Sequence, residues 1–127
     1  MKDTLKKVES FHQAFKQKNG AGPTLVTTEE SELRHRLMAE ENDEYLEACD
    51  KDNIIEIADA LGDQLYILCG TILKHGLQHK IEEVFNEIHL SNMSKLDANG
   101  EPILREDGKI MKSNRYFKPD IEKIIYK

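Results

Sequence analysis

Residues 34–76 read RHRLMAEENDEYLEACDKDNIIEIADALGDQLYILCGTILKHG, and their pattern decides the fold. From Ile54 to Leu73 almost every residue is apolar, which predicts a helix buried on all sides. The exceptions are Glu56, Asp59, Asp63, Gln64 and Thr71. Glu56, Asp59 and Asp63 are spaced three and four apart and so share one stripe. The preceding helix repeats the anomaly. Leu33, Leu37, Glu41, Glu44 and Ala48 follow the spacing of an apolar stripe, but two of its places hold Glu. Only residues 50–53 link the two helices, so they should be antiparallel neighbours.

Carboxylates on apolar stripes are costly unless paired or bound to metal. Two of them about 5 Å apart repel by roughly 3 kcal/mol at an effective dielectric near 20. A hard divalent cation removes that repulsion. The pairs are Glu41-x-x-Glu44 and Glu56-x-x-Asp59, with Glu40 flanking the first. Oxygen ligands without His or Cys point to Mg²⁺ or Mn²⁺ rather than zinc. A di-iron bundle would need Glu-x-x-His pairs, and His35, His75, His79 and His89 lie at the wrong positions for them. The competing reading is a buried network or oligomer interface in which Lys or Arg neutralise these acids.

Outward from this centre the chain reads as mostly helical. Leu5, Val8, Phe11 or His12, and Phe15 mark a helix over residues 2–18. NGAGP at 19–23 opens a loop that runs to 28. Thr27 and Glu30 form a capping-box signature for a second helix over 29–50. Asp52 is placed to cap the third, which runs through Lys74 with Gly76 just past its end. Ile81, Val84, Phe85, Ile88 and Leu96 mark a fourth helix over about 78–96. ILREDGKIMK at 103–112 is a hairpin signal around Asp107-Gly108, and Pro119-Asp120 starts a short helix over 119–126. The expected fold is all-α and resembles a four-helix bundle, with a small C-terminal β-hairpin and a short terminal helix. At 127 residues it should form one domain, 1–127.

Charge follows the same division. The net charge of −6 conceals +3 over residues 1–28, −10 over 29–63 and +1 over 64–127. An acidic total argues against nucleic-acid binding. No apolar run reaches membrane length, and the first residues lack the apolar core of a signal peptide. Cys49 and Cys69 match neither a disulfide scaffold nor a zinc spacing, and read as reduced cysteines of a cytoplasmic protein. A carboxylate-held metal commonly meets phosphate. Candidate phosphate partners are Asn92 and Lys95 in SNMSK, Lys112 in the basic tail, and Arg36 upstream of the acids. His12, with Phe11 and Phe15, is a candidate wall for a nucleotide base.

The quoted stretch also resembles the all-α nucleoside triphosphate pyrophosphohydrolases. That superfamily includes MazG-like enzymes, dimeric dUTPases and phosphoribosyl-ATP pyrophosphohydrolases, and its signature is EExxE on one helix and ExxD on the next. VESFHQAF, VFNEIHLSNMSK and DGKIMKSNRYFKPD resemble a MazG-like branch of it. The resemblance implies hydrolysis between the α- and β-phosphates of a nucleotide. It implies Mg²⁺ held by Glu41, Glu44, Glu56 and Asp59, with Glu40 or Glu41 activating water and Asn92, Lys95 and Lys112 on phosphate oxygens. It also implies a homodimer or homotetramer. Two alternatives stay open: a phosphoribosyl-ATP pyrophosphohydrolase of histidine biosynthesis, and a non-catalytic helical oligomer with interface ion pairs.

Overall fold

A computed structural model describes all residues from Met1 to Lys127. The element order is α1 (Lys2–Ala14), α2 (Thr28–Asp50), α3 (Ile54–Lys74), α4 (Ile81–Met93), β1 (Ile103–Leu104), β2 (Ile110–Met111) and α5 (Ile121–Ile125). The fold is all-α with one small hairpin. No helix is long and apolar enough to cross a membrane. The chain divides into two compact units, Met1–His79 and Lys80–Lys127.

In the first unit, α1 and α2 both pack on α3. The ends of α2 and α3 have identifiable local causes. Thr27 Oγ1 accepts from the Glu30 amide at 3.2 Å, which is half of the expected capping box. The Glu30 carboxylate turns instead to Lys74 Nζ at 3.4 Å. The α3 cap is Asn53 rather than Asp52: its Oδ1 accepts from the amides of Ile55 and Glu56. Asp52 adopts φ 50° and closes α2, with Asn53 N–H on Ala48 O and Asp52 N–H on Cys49 O, a Schellman turn. Lys16 at φ 56° closes α1 in the same way, so that helix ends at Ala14, short of 18. Gly76 at φ 64° closes α3, and there a Cβ would stand 2.0 Å from Gly22 O.

The core of this unit is small: Leu5, Val8, Ala48, Ala60, Cys69, Ile72 and Leu73. Here α3 departs from expectation. Ile54 and Ile55 stay 73% and 78% exposed, and Leu61, Leu65, Tyr66 and Leu68 are also exposed. Two helices shield only part of a third, so an all-apolar helix keeps an open side within one chain.

In the second unit, α4 spans Ile81–Met93, shorter than 78–96, and packs against α5. The hairpin pairs Ile103 with Met111 and Leu104 with Ile110. Serines tie the returning chain to α4: Ser91 Oγ donates to Phe117 O at 2.8 Å, and Ser113 Oγ donates to Leu96 O at 2.7 Å. Asp120 caps α5 through the Lys123 amide.

Candidate active site

The link of residues 51–53 turns α2 back along α3. The pairing is antiparallel: Arg34 meets Ile67 and Thr71, while Asn42 meets Gln64. Counting away from Asp52, Glu41 lies eleven residues before and Asp63 eleven after, so they face each other. Glu41, Glu44 and Asp63 each bring a carboxylate oxygen within 4.8 Å of the others.

The Glu41 carboxyl is pushed up to about 7. Desolvation is the largest cause, followed by the Glu44 carboxylate and then the charges of Asp63 and Asp59. Glu41 Oε2 is buried without a hydrogen-bond partner. None of Glu41, Glu44, Asp59 and Asp63 has a lysine or arginine of this chain at ion-pair distance. Four acids therefore share one region with no cation of the chain among them, and each added negative charge makes the next more costly.

The expected quartet is thus regrouped. Glu41 and Glu44 come together, and Asp59 acts on Glu41 through its charge. Glu56 stands apart from the mutual group: it is exposed, 3.9 Å from Lys51 Nζ, in the first turn of α3. Asp63, read from the sequence only as part of the stripe, takes the third place. The signal for it was the counting from the link.

Glu40 and Arg36 are exposed on α2, with Arg36 beside Ser31, Glu32 and His35 in a shallow groove. His12, read from the sequence as a candidate wall for a base, lies inside the packing of α1 on α3. It is only 4% exposed, with Nδ1 2.6 Å from Asn19 Oδ1. Packing consumes the ring because its helix turns that face onto Gly70. Phe11 and Phe15 do remain exposed, with ring centroids 4.5 Å apart, and Tyr66 meets Phe11 edge-on at 5.6 Å. Asn92, Lys95 and Lys112 belong to the second unit. Asn92 is exposed in the last turn of α4, Lys95 is half-buried just past it, and Lys112 Nζ lies 4.6 Å from the centre of the Tyr116 ring.

Two paired helices of this all-α chain thus turn acids toward one point. The sequence profile of the phosphoribosyl-ATP pyrophosphohydrolase family (PRA-PH) matches residues 8–92, more than half of the chain, and the chain belongs to that family. The protein is accordingly a hydrolase acting on acid anhydrides, of the nucleotide pyrophosphohydrolase kind. A search of curated proteins gives no match.

Proposed function

We propose that this protein cleaves the α–β phosphoanhydride of nucleoside or deoxynucleoside triphosphates, releasing a monophosphate and pyrophosphate. The observation that carries the reading is the group Glu41, Glu44 and Asp63, bordered by Asp59, in a chain of this family. A divalent metal, Mg²⁺ or Mn²⁺, fits it. The donors are all oxygen, Glu41 Oε2 lacks any other partner, and no cation of the chain competes. When bound, such an ion neutralises phosphate charge and raises the acidity of water. Glu41, Glu44 and Asp63 are the proposed ligands, with Asp59 beside them. Glu56, named by the family signature, joins only if its side chain leaves Lys51.

Glu40 or Glu41 orients the attacking water and accepts its proton. Asn92, Lys95, Lys112 and Arg36 are the proposed phosphate partners. Phe11, Phe15 and Tyr66 are proposed to take the base by stacking. Tyr66 follows Asp63 by three residues, so aromatic and acidic groups share one face of α3. The open apolar side of α3 supports a homodimer or homotetramer, and the two free cysteines accord with a cytoplasmic location.

A second reading has a specific support. The matching family is described by phosphoribosyl-ATP hydrolysis, and the same acids would serve it. A pyrophosphate-release assay separates the two. It sets common and modified nucleoside triphosphates and deoxynucleoside triphosphates beside phosphoribosyl-ATP, each with Mg²⁺ or Mn²⁺. Preference for triphosphates supports the proposal, and preference for phosphoribosyl-ATP replaces it. Folded protein that turns over none of them overturns both.

A further inference from the structure

We propose that Arg34, seated over the bare surface of Gly70, is a positioning residue that sets the register of α2 against α3 and so holds Glu41 and Glu44 opposite Asp63. The consequence for catalysis rests on the pyrophosphohydrolase reading above, whereas the register does not.

The two helices need such a device. Their acids repel where they meet. The buried apolar residues nearest the acids along α2 and α3 are small, Ala48 and Ala60. Hydrophobic burial is also non-directional, so it favours contact without choosing a register. Directional bonds choose it, and three hydrogen bonds join these helices, beside an ion pair of Lys74 with Glu30 at 3.4 Å near the far end. Arg34 Nε donates to Thr71 Oγ1 at 3.1 Å, and Arg34 Nη2 donates to Ile67 O at 3.0 Å. Gln64 Nε2 donates to Asn42 Oδ1 at 3.1 Å, but in an exposed position where water competes. The arginine pair is shielded, and Thr71 Oγ1 itself donates to Ile67 O at 2.9 Å, so donors and acceptors close a triangle.

The spacing transmits this to the site. Arg34 precedes Glu41 by seven residues, two turns, and Asp63 precedes Ile67 by four and Thr71 by eight. Arginine and acids therefore lie on one face of each helix. A slip by one residue would shift the helix about 1.5 Å along its axis and turn every side chain by about 100°. Either change separates Glu41 from Asp63.

Two further features are otherwise unexplained. Arg34 is 8% exposed and has no carboxylate at ion-pair distance, although desolvation penalises its charge and only Glu30 offsets that. Gly70, a weak helix former, sits inside α3. A Cβ there would stand 2.7 Å from Arg34 Nη2 and 3.1 Å from His12 Nε2. Gly70 leaves the space that the guanidinium fills, and His12 braces the same spot from α1.

The test uses the full chain with Cys49→Ser and Cys69→Ala, spin labels at the exposed positions Asp43 and Leu65, and an excess of unlabelled chain to suppress intermolecular signals. Arg34→Met and Gly70→Ala should both shift or broaden the label distance by about 1.5 Å or more, one residue of helix rise. In unlabelled chains both should raise the half-saturating Mg²⁺ concentration for hydrolysis by at least about tenfold, since losing a group that orients metal ligands typically costs about 10–100-fold in metal affinity. Their kcat at saturating Mg²⁺ should stay within about threefold of the parent. Thr71→Val should move both readouts the same way by less. Val8→Ala, which loosens α1 packing, should lower Tm and move neither. Gly70→Ala is an independent arm, because it displaces the guanidinium while leaving every hydrogen-bonding group of the α2–α3 contact in the chain. Parental label distances in Gly70→Ala and Thr71→Val overturn the proposal, whether or not Arg34→Met folds. A chain that hydrolyses nothing, yet shows the distance change, overturns the functional reading alone.

Discussion

Replacing Asp63 with asparagine should make the metal-free protein more stable while abolishing its hydrolytic activity. Carboxylate oxygens of Glu41, Glu44 and Asp63 lie within 4.8 Å of one another. At that separation each charged pair repels by about 3 kcal/mol for an effective dielectric near 20. Asp63→Asn keeps the shape and removes two of the three pairs. Solvent reaches Glu44 and screens its share, so the net relief is nearer 1–2 kcal/mol than the sum of both pairs. For a chain of this size that is about 4–8 °C in Tm. The gain should be read at pH 8 with a chelator present, where Glu41 is ionised. It should shrink near pH 5.5, where Glu41, with its pKa at about 7, is mostly protonated.

Mg²⁺ reverses the order. The parent rises in Tm as the ion relieves its acids, and the variant rises less because it has lost a ligand. Differential scanning calorimetry at two pH values, with and without Mg²⁺, gives all four comparisons. An Asp63→Asn protein less stable than the parent at pH 8 without metal would refute the reasoning. It would mean that Asp63 is held by a favourable partner rather than strained by like charges.

In the parent chain Glu41 binds a proton in the folded state up to about pH 7, whereas the unfolded chain releases it near 4.5. Stability should therefore fall as pH rises from 4.5 to 7, by about 1–2 kcal/mol after allowance for screening, and urea midpoints across that range check it. Gly76→Ala should destabilise by about 2 kcal/mol or more, measured by urea unfolding, because it joins an unfavourable positive φ to a Cβ 2.0 Å from Gly22 O. Phe11→Ala and Tyr66→Ala should each raise KM for nucleotide by about fivefold with kcat little changed, as loss of about 1 kcal/mol of stacking requires; an unchanged KM in steady-state kinetics removes the aromatic group from base recognition.

Local structure was legible where one residue carries the instruction. Thr27 and Gly76 mark helix ends in any reading, and Asp107-Gly108 marks the hairpin, whose turn glycine has φ 87°. The differences arose where two residues could serve. Asp52 and Asn53 are both good caps. Only one can accept from the first α3 amides, since the Schellman turn of α2 takes Asp52 into the left-handed region. His12 and Phe11 are adjacent on α1, and either could continue its apolar stripe. Gly70 decides between them, because an imidazole fits against a helix with no side chain there and a benzyl group then turns outward. That choice depends on a contact between distant segments, which periodicity within α1 does not contain.

The acidic centre shows the same division between stripe and register. Spacing alone puts Glu56, Asp59 and Asp63 on one stripe and leaves all three eligible to face Glu41 and Glu44. Helix crossing then selects. With the turn centred on Asp52, residues equally far from it meet, so Glu41 falls opposite Asp63 and Ala48 opposite Glu56. Glu56 lies near the turn, outside the group of Glu41, Glu44 and Asp63, with Lys51 Nζ 3.9 Å away. Ala48 and Ala60, both small, are buried about one turn from the acids along α2 and α3. Burial and the neighbouring carboxylates of Glu44, Asp63 and Asp59 there raise the Glu41 pKa. A signature of acids in a sequence therefore names the stripe, while the length of the turn and the arginine two helical turns away determine which acids on it become neighbours.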